Sequence, residues 1–283
     1  MRTIKQQHRA IEAPIADLVT YRALPTDSVE YLDPFLFLNH HGPQVYPPHN
    51  RGLPFGPHPH RGFETVTFIL EGDILHKDTG GHESVIQAGG IQWMTAGSGL
   101  IHAEVSSEAF KQTGGPLEIL QLWVNLPAKD KLTAPRYIGL QKDEIPTVTL
   151  AGGVVVHAVS GQWAGTAGAV QPLADVQLAW LDLPAGSQAT LPIAAARTIF
   201  LYVVRGTVQA NGTEAKARQL VEFNHDGDEL TLEAGAGAVV LLGHALPFDE
   251  PMVSYGPFVM NTEAEIQQAY RDYQRGTFGV WEG

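Results

Sequence analysis

The chain has 283 residues, a length that suits one large β domain or two domains of ordinary size. It carries 18 Lys and Arg residues against 30 Asp and Glu residues, and its formal net charge of −12 argues against direct contact with nucleic acid or an anionic membrane. Cysteine is absent, which excludes disulfides, thiolate-bound zinc and a cysteine nucleophile. Any bound metal must therefore be held by nitrogen and oxygen atoms.

Short apolar runs separated by turn residues follow one another along most of the chain. Runs such as TVTFILEG, EILQLWVNL and TIFLYVVRG are interrupted by glycines and prolines, a pattern typical of brief strands closed by turns. No segment approaches the roughly 18 apolar residues of a membrane helix, and the first 25 residues contain no continuous apolar region. The sequence predicts a mostly β protein, and we expect it in the cytoplasm.

Histidine is concentrated in the first half of the chain. Eight of the twelve histidines lie between His40 and His102, and they include the HPH pair His58 and His60. His102 and Glu104 repeat the same one-residue spacing. Because successive strand residues point to opposite faces, the two members of each pair project to the same side.

If the two strands meet inside one barrel, four ligand atoms converge. Imidazole nitrogens and a carboxylate oxygen suit Fe(II), Mn(II), Ni(II), Cu(II) or Zn(II), and four protein ligands leave an octahedral metal two open positions. An isolated H-x-H is more typical of two solvated histidines on an exposed strand, and with the second pair in the same region the pattern fits a metal site equally well.

We expect other residues near these pairs to have structural roles. His76 and His82 lie in the loop-like stretch ILHKDTGGHES, and we expect exposed turn histidines rather than ligands. Gly97 and Gly99 are expected to form a tight turn that presents His102.

A weak internal repeat organises the chain into two β barrels or sandwiches in tandem. Gly72 and Gly206 anchor its two copies, each of which runs strand, charged residue, glycine, strand and turn. The polar, proline-punctuated stretch at 127–147 predicts a boundary near residue 137, which gives domains 1–137 and 138–283.

The second copy of the repeat lacks the metal-binding pattern. Aligning the copies on their glycine anchors sets Pro192 and Ala194 opposite the two histidines of HPH, and neither can bind metal. Near the place of the second motif only His244 remains, with Leu246 where a carboxylate would be needed. We therefore expect one metal per chain and a second barrel that serves packing.

The only firmly helical pattern closes the chain. In TEAEIQQAYRDYQRG, residues 262–276, Thr262 and Glu265 form a capping box, and Gly276 is a termination signal. The apolar positions of this stretch lie on one face, so the helix is expected to bury that face.

Five segments together resemble the metal motifs of the cupin superfamily, and specifically the pirin family. They are LDPFLFLNHHGP at 32–43, HPHRGFETVTFILEG at 58–72, QWMTAGSGLIHAE at 92–104, LQLWVNLP at 120–127 and YGPFVMNTEAEIQQAYRDYQRGTFG at 255–279. The resemblance spans nearly the whole chain. It implies an all-β bicupin, with two tandem cupin barrels and a C-terminal helix.

The resemblance also implies a ligand set and a metal. Iron is bound in the N-terminal barrel of pirins by three histidines and one glutamate, and the matching positions are His58, His60, His102 and Glu104. Many cupins use a glutamate at the position of Glu64, but pirins do not, so Glu64 is assigned to a supporting or packing role.

One part of the pattern departs from the family. Asn39, His40 and His41 stand where pirins have an acidic-aromatic pattern, which leaves the pocket wall and the substrate preference open.

The activity that this resemblance implies is a dioxygenase acting with dioxygen on quercetin or a related flavonol. Glu104 would hold the metal and accept the 3-hydroxyl proton of the substrate. The alternative is a non-enzymatic, iron-dependent protein that binds transcription regulators or other protein partners, as animal pirins do. A zinc-loaded cupin resembling the sugar isomerases is a third interpretation, but the basic phosphate-binding cluster that it needs is not apparent.

Overall fold

The structure of the protein, a computed structural model, describes residues 1–282 and consists mainly of short antiparallel strands. The strands of the first half are β1 (Ile4–Arg9), β2 (Ile11–Glu12), β3 (Thr20–Leu24), β4 (Phe35–Tyr46), β5 (Phe55–His60), β6 (Phe63–Glu71), β7 (Asp73–Asp78), β8 (Glu83–Gln87), β9 (Ile91–Thr95), β10 (Leu100–Val105), β11 (Gly115–Asn125) and β12 (Arg136–Leu140). Those of the second half are β13 (Thr147–Thr149), β14 (Val155–Ser160), β15 (Gln162–Trp163), β16 (Thr166–Ala167), β17 (Val176–Leu183), β18 (Ser187–Pro192), β19 (Thr198–Arg205), β20 (Thr207–Ala210), β21 (Thr213–Lys216), β22 (Gln219–Phe223), β23 (Glu229–Ala234), β24 (Ala238–Ala245), β25 (Val253–Tyr255) and β26 (Phe258–Met260). The α-helices are α1 (Glu108–Thr113) and α2 (Glu263–Gln274), and single 3₁₀ turns occupy Ala128–Asp130, Lys142–Glu144 and Ala151–Gly153.

The chain divides into two compact units, named here after the barrel that each contains. The N-terminal barrel comprises Glu12–Tyr21, Phe35–Asp143 and Phe248–Gly283, and the C-terminal barrel comprises Met1–Ile11, Arg22–Pro34 and Glu144–Pro247. The longest segment of the N-terminal barrel thus ends at Asp143, and the longest segment of the C-terminal barrel begins at Glu144, close to the predicted boundary at 137.

The terminal segments differ from the predicted division into 1–137 and 138–283. Strand β1 pairs with β22 of the C-terminal barrel, because its backbone completes the edge of that sheet. Residues 248–283 belong to the N-terminal barrel. There the apolar face of α2, with Ile266 and Ala269, packs with Phe258 and Phe278. A periodic pattern shows which helix face is buried, but it does not show what covers it.

Each barrel is built from one seven-stranded and one four-stranded sheet. In the N-terminal barrel the strand orders are β12-β9-β6-β11-β4-β3-β2 and β5-β10-β7-β8. In the C-terminal barrel they are β1-β22-β19-β24-β17-β14-β13 and β18-β23-β20-β21. Gly72 joins β6 to β7 and Gly206 joins β19 to β20, so the repeat predicted from these glycines is confirmed. The two copies share one topology.

The interiors of the two barrels differ in polarity at matching positions. Thr67 and Leu201 lie at the same distance before their anchor glycines, and each pairs with a residue on both neighbouring strands. The two rows so formed are Gln92, Thr67 and Gln121 in the N-terminal barrel, and Val221, Leu201 and Leu242 in the C-terminal barrel. The C-terminal barrel therefore has a continuous apolar core, whereas polar side chains replace part of that core in the N-terminal barrel.

The predicted C-terminal helix is confirmed in detail. Thr262 is the N-cap of α2, its side chain accepts a hydrogen bond from the backbone N–H of Glu265, and the Glu265 carboxylate accepts one in return. The short helix α1 was not predicted; Ser107 caps it by accepting a hydrogen bond from the N–H of Phe110. Within residues 1–282, neither helix has the length and apolar character needed to cross a membrane.

Candidate metal centre

Three of the four predicted ligands come together on two neighbouring strands of the N-terminal barrel. Strand β5 pairs antiparallel with β10, which sets His58 opposite His102 and His60 opposite Leu100. Directly opposite residues share a sheet face, as do residues two apart on one strand. The potential ligand nitrogens of His58, His60 and His102 accordingly lie within 4.8 Å of one another. Gly97 and Gly99 have φ angles of 49° and 119°, which confirms the predicted turn before β10.

Hydrogen bonds leave these imidazoles ready to bind a cation. The N–H of His58 Nδ1 donates to the carbonyl of Gly56 at 2.7 Å, and that of His60 Nδ1 donates to the carbonyl of Pro257 at 3.3 Å. A carbonyl only accepts, so the lone pair of each ring lies on Nε2. His102 is fully buried, and neither of its ring nitrogens has a hydrogen-bond partner within residues 1–282. A metal ion can bind one nitrogen of each of the three rings, so the residues fit a metal site.

Burial keeps two of these histidines, His60 and His102, neutral. Burial lowers the pKa of His60 to about 3, and a positive charge on His58 would lower it further, although the hydrogen bond to Pro257 opposes the shift. Burial also lowers the pKa of His102 well below its ordinary value, with contributions from His60, His58 and His76. Neutral imidazole is the form that binds metal, so no proton has to be removed near neutral pH.

The fourth predicted ligand, Glu104, lies two residues after His102 on the same face of β10, but it is not part of the three-histidine group. Its carboxylate is buried and accepts hydrogen bonds from Thr67 at 3.0 Å, from Gln121 at 2.6 Å and from Gln92. These three donors are the same residues that form the polar row in the interior of the N-terminal barrel. This row therefore fixes the orientation of a carboxylate beside the histidines.

Glu64 lies on the opposite face of β6 from Thr67, since the two residues are three apart on one strand. Its Oε1 accepts a hydrogen bond from Thr95 at 2.6 Å, and burial raises the pKa of its carboxyl group. This position directs Glu64 away from the three histidines.

The expectation that His76 is an exposed turn residue is wrong, whereas His82 is exposed as expected. His76 lies on β7 opposite Glu104, and its side chain is completely buried. Its Nε2 is 2.9 Å from Asp78 Oδ2, and its ring stacks on Tyr137 with 3.9 Å between centroids. The alternation of Ile74, His76 and Asp78 is the signal that could have identified this residue as inward-facing.

An aromatic wall that sequence reasoning did not predict lies beside His60. The rings of Phe63 and Trp123 are 5.0 Å and 5.3 Å from the His60 ring, and Phe37 stacks on Trp123 at 4.6 Å. The indole N–H of Trp123 is buried and has no hydrogen-bond partner among the described residues. The wall offers a flat apolar surface and one free donor.

The polar segment at residues 39–41 lies inside the barrel, and it does not form the wall of a solvent-filled pocket. Asn39, His40 and His41 are all buried on β4. His40 Nε2 is 2.9 Å from Glu118, and His41 Nδ1 is 2.9 Å from the hydroxyl of Thr20.

The C-terminal segment, residues 248–282, also contacts the end of β5, the strand that carries His58 and His60. Besides the carbonyl of Pro257 on His60, Asp272 accepts a 2.8 Å hydrogen bond from Arg61, the residue that follows β5. The Arg61 guanidinium lies 4.7 Å from the centre of the Phe278 ring. These contacts fix the end of β5, a role that the sequence pattern of the helix did not reveal.

The C-terminal barrel has apolar residues where the N-terminal barrel has the predicted ligands. Pairing of β18 with β23 sets Leu191 opposite Leu230, and Ile193 follows it opposite Asp228, in the register that His58 and His60 have with β10. The residues expected to match HPH, Pro192 and Ala194, are exposed and do not occupy these inward positions. The alignment on the anchor glycines is offset here because the connection between β18 and β19 differs in length from the connection between β5 and β6.

His244 also differs from its expected place. It lies on β24, which corresponds to β11 and not to the ligand strand β10. Within residues 1–282, the histidines of the N-terminal barrel form the single group of three or more side chains positioned for a metal ion.

Comparisons with known proteins identify the family. Residues 17–124 match the pirin family model, and residues 178–279 match the model of the pirin C-terminal cupin domain. A pirin-like protein of Caulobacter vibrioides is 42% identical over 260 residues, which cover 91% of each chain. Mouse pirin is 36% identical over 270 residues, which cover 91% of this chain and 87% of the mouse protein.

The fold is shared with a solved structure. The crystal structure of a quercetin 2,3-dioxygenase from Acinetobacter baumannii superposes with a TM-score of 0.93, at 33% identity, and covers 99% of both chains. Two barrels of one topology, the terminal helix and the three converging histidines agree with these matches. The chain therefore belongs to the pirin family, and its fold is the bicupin fold predicted from its motifs.

Proposed function

We propose that this protein is a metal-dependent dioxygenase that acts on quercetin or a related flavonol, with one Fe(II) ion in the N-terminal barrel. The observation that carries the proposal is His102, a fully buried imidazole without a hydrogen-bond partner for either nitrogen among the described residues, beside the rings of His58 and His60. The similarity to the Acinetobacter baumannii quercetin 2,3-dioxygenase supports the substrate class.

His58, His60 and His102 would hold the metal, with Glu104 as the fourth ligand. Support for Glu104 comes from its burial and from its place on the same face of β10 as His102. A redox-active divalent metal in this site would supply the electron transfer that dioxygen chemistry requires. Mn, Ni, Cu and Zn fit the same nitrogen and oxygen donors, and only the redox-active ones among them would support turnover.

The side chains around the ligands suit a flat aromatic substrate. Phe63 and Trp123 present apolar ring surfaces beside His60, and the Trp123 N–H is a free donor for a substrate oxygen. We assign to Glu104 the role of accepting the 3-hydroxyl proton, since its carboxylate is held in one orientation by three donors. The substrate ring would then open with release of carbon monoxide.

The test is dioxygen uptake and carbon monoxide release after anaerobic reconstitution with Fe(II), with quercetin as substrate. We expect activity in the iron-loaded protein and little in the apo or zinc-loaded forms, because zinc has no redox chemistry. His102→Ala should be inactive, and His82→Ala, which changes an exposed histidine, is the matched control. Uptake no greater than that of the apo protein with quercetin and related flavonols would exclude this activity and favour the regulatory alternative.

A further inference from the structure

A cavity of 340 Å³ lies within the C-terminal barrel, apart from the metal centre. Its apolar lining includes Trp163, Leu191 and Ile193, and its polar lining includes Arg197 and His244. A volume of this size is at the lower end of the range found for small-molecule sites, which are mostly apolar with a few fixed polar groups.

His244 projects into the interior of the barrel. It has the same parity on β24 as Val240 and Leu242, two residues of the apolar core. Its counterpart in the N-terminal barrel is Trp123, which pairs with Thr65 as His244 pairs with Ile199. Because Trp123 lies beside His60, the cavity occupies the end of the C-terminal barrel that corresponds to the metal end of the other.

The hydrogen bonds of His244 determine which of its ring nitrogens carries the proton and where that N–H points. The Arg197 guanidinium binds both carboxylate oxygens of Asp175, at 2.5 Å and 3.1 Å, and its Nε–H donates to His244 Nδ1 at 2.7 Å. Since Nδ1 accepts, the proton of the neutral ring is on Nε2. Among the described residues the one hydrogen-bond partner of the His244 ring is Arg197 at Nδ1, so its Nε2–H is an oriented donor that a bound molecule can reach from the cavity.

The charges around the cavity favour an anion. Arg197 is paired with Asp175, but a second guanidinium, that of the buried Arg2, donates to the carbonyls of Arg197 at 2.6 Å and Ala194 at 2.8 Å. Asp226, the acidic residue beside Arg2, is exposed, so water screens its charge. The wall therefore retains an excess of positive charge within a chain whose net charge is −12.

We propose that this cavity binds a small aromatic monocarboxylate. The ring would pack against Leu191, Ile193 and Trp163, and the carboxylate would accept the N–H of His244 Nε2 in the field of the two guanidinium groups. The proposal does not depend on the dioxygenase activity, because the two barrels supply the two sites from different residues.

The test is an NMR titration of the full-length, zinc-loaded protein with benzoate, in which the indole N–H signal of Trp163 is followed. The indole donates to Ser160 in the wall of the cavity, and Trp163→Phe assigns the signal. We expect a saturable shift with benzoate, and binding about tenfold weaker for the uncharged isostere benzamide, because a charged acceptor makes the stronger hydrogen bond. Zinc is diamagnetic and leaves the signals sharp, and benzoate that binds only at the zinc ion does not shift Trp163.

Two variants block the cavity independently. Ile193→Trp and Leu191→Trp each place a large ring in it, and either should abolish the benzoate-dependent shift. Val45→Trp, at a residue that is 76% exposed on the N-terminal barrel, is the matched control and should leave the shift intact. Absence of a saturable shift, or a shift that survives in a folded cavity variant, would overturn the proposed site. Equal affinity for benzoate and benzamide would overturn the assignment of an anion.

Discussion

His102 shows what the N-terminal barrel requires of a single residue. An imidazole that is completely buried with both nitrogens unpartnered is unfavourable in an apolar core, since each polar group loses its contact with water. A metal ion bound to one of the two nitrogens would offset part of this cost. The neighbouring histidines are oriented by carbonyls of Gly56 and Pro257, so ligand direction is established by the fold before any metal binds.

Replacing His102 by alanine should lower the affinity for Fe(II) or Zn(II) by at least about 100-fold, because one of the converging donors is lost. The chain should remain folded, since the substitution removes two unsatisfied polar atoms along with the ring. Metal titration and far-UV circular dichroism measure the two effects, with His82→Ala as the control. Unchanged affinity in a folded His102→Ala protein would contradict the ligand assignment.

For Glu104→Gln we expect activity to fall more than metal affinity. The amide keeps an oxygen for the metal or for one of the donors, but it cannot accept the substrate proton. The measurement compares quercetin turnover with the metal dissociation constant in the same preparation. If turnover falls only in proportion to bound metal, Glu104 acts as a ligand and the proposed base is a different group.

His244 gives the stability of the protein a defined pH dependence. Burial, together with the charge of Arg197, lowers the pKa of His244 from 6.5 to about 3, although Asp175 opposes the shift. The unfolded chain therefore takes up a proton that the folded chain excludes. The stability contribution of neutral His244 is complete above about pH 6.5 and is lost as the pH falls towards 3.

At about pH 4.5 this loss should amount to about 2–3 kcal/mol. His244→Gln has no titrating group, so its free energy of unfolding should decrease less between about pH 7 and about pH 4.5 than that of the unchanged protein. Urea denaturation at the two pH values provides the comparison. Parallel decreases in both proteins would show that His244 does not titrate in this way.

At the residue scale, alternation along a strand was enough to predict that His58 shares a face with His60 and that His102 shares one with Glu104, but not that the two strands are neighbours. His76 was misassigned because the glycines and charges around it indicate a turn, whereas pairing with β10 extends β7 through Asp78. Strand pairing is a long-range contact, so local composition does not reveal it. The hydrogen bonds that hold Glu104 come from three other strands and were equally inaccessible.

At the scale of elements, helix α2 shows which features the local sequence determines and which depend on packing. The capping box of α2 was predicted because Thr262 and Glu265 form it within one turn. The contacts of Asp272 and Phe278 with Arg61 were not predictable, since they depend on where the helix packs. The end of the chain thus supports strand β5, which carries two of the three histidines.

The turn before β10 depends on a close approach between Gly99 and Phe278. Gly99 has a φ of 119°, and a Cβ atom at this position would overlap the Phe278 ring. Gly99→Ala should therefore destabilise the N-terminal barrel by about 2–4 kcal/mol, and Phe278→Ala in the same chain should recover part of the loss. Thermal unfolding measures both effects.

Gly186→Ala is the control for backbone strain alone, because Gly186 also has a positive φ but faces open space. It should cost less than Gly99→Ala. Equal losses in the two variants would show that the Phe278 contact is unimportant.

At the scale of the whole molecule, one topology supports two kinds of interior. The polar row at Gln92, Thr67 and Gln121 surrounds Glu104, whereas Val221, Leu201 and Leu242 form continuous core. The repeat was visible in the sequence through Gly72 and Gly206, but sequence alignment alone placed Pro192 and Ala194 at positions that Leu191 and Ile193 occupy. Small differences in loop length shift such an alignment without changing the fold.

From these interiors we expect one tightly bound metal per chain. The inward positions of the C-terminal barrel that correspond to the predicted ligands are leucine and isoleucine, which offer no donor atoms. Elemental analysis of protein purified without chelator, together with equilibrium metal titration, gives the stoichiometry. A second tight metal, retained after the substitution of His58 and His60 by alanine, would contradict this account of the C-terminal barrel.

The pairing of the first strand with a late one has a consequence for synthesis on the ribosome. Arg2 forms a hydrogen bond with Gly227, 225 residues further along the chain. At translation rates of about 5–20 residues per second, the partner of the first strand emerges roughly 10–45 s after that strand. Pro257 and Asp272, which support the metal strands, are made later still. The N-terminal barrel therefore cannot be completed before Pro257 has been made, and a chain that stops before this residue lacks the carbonyl that orients His60.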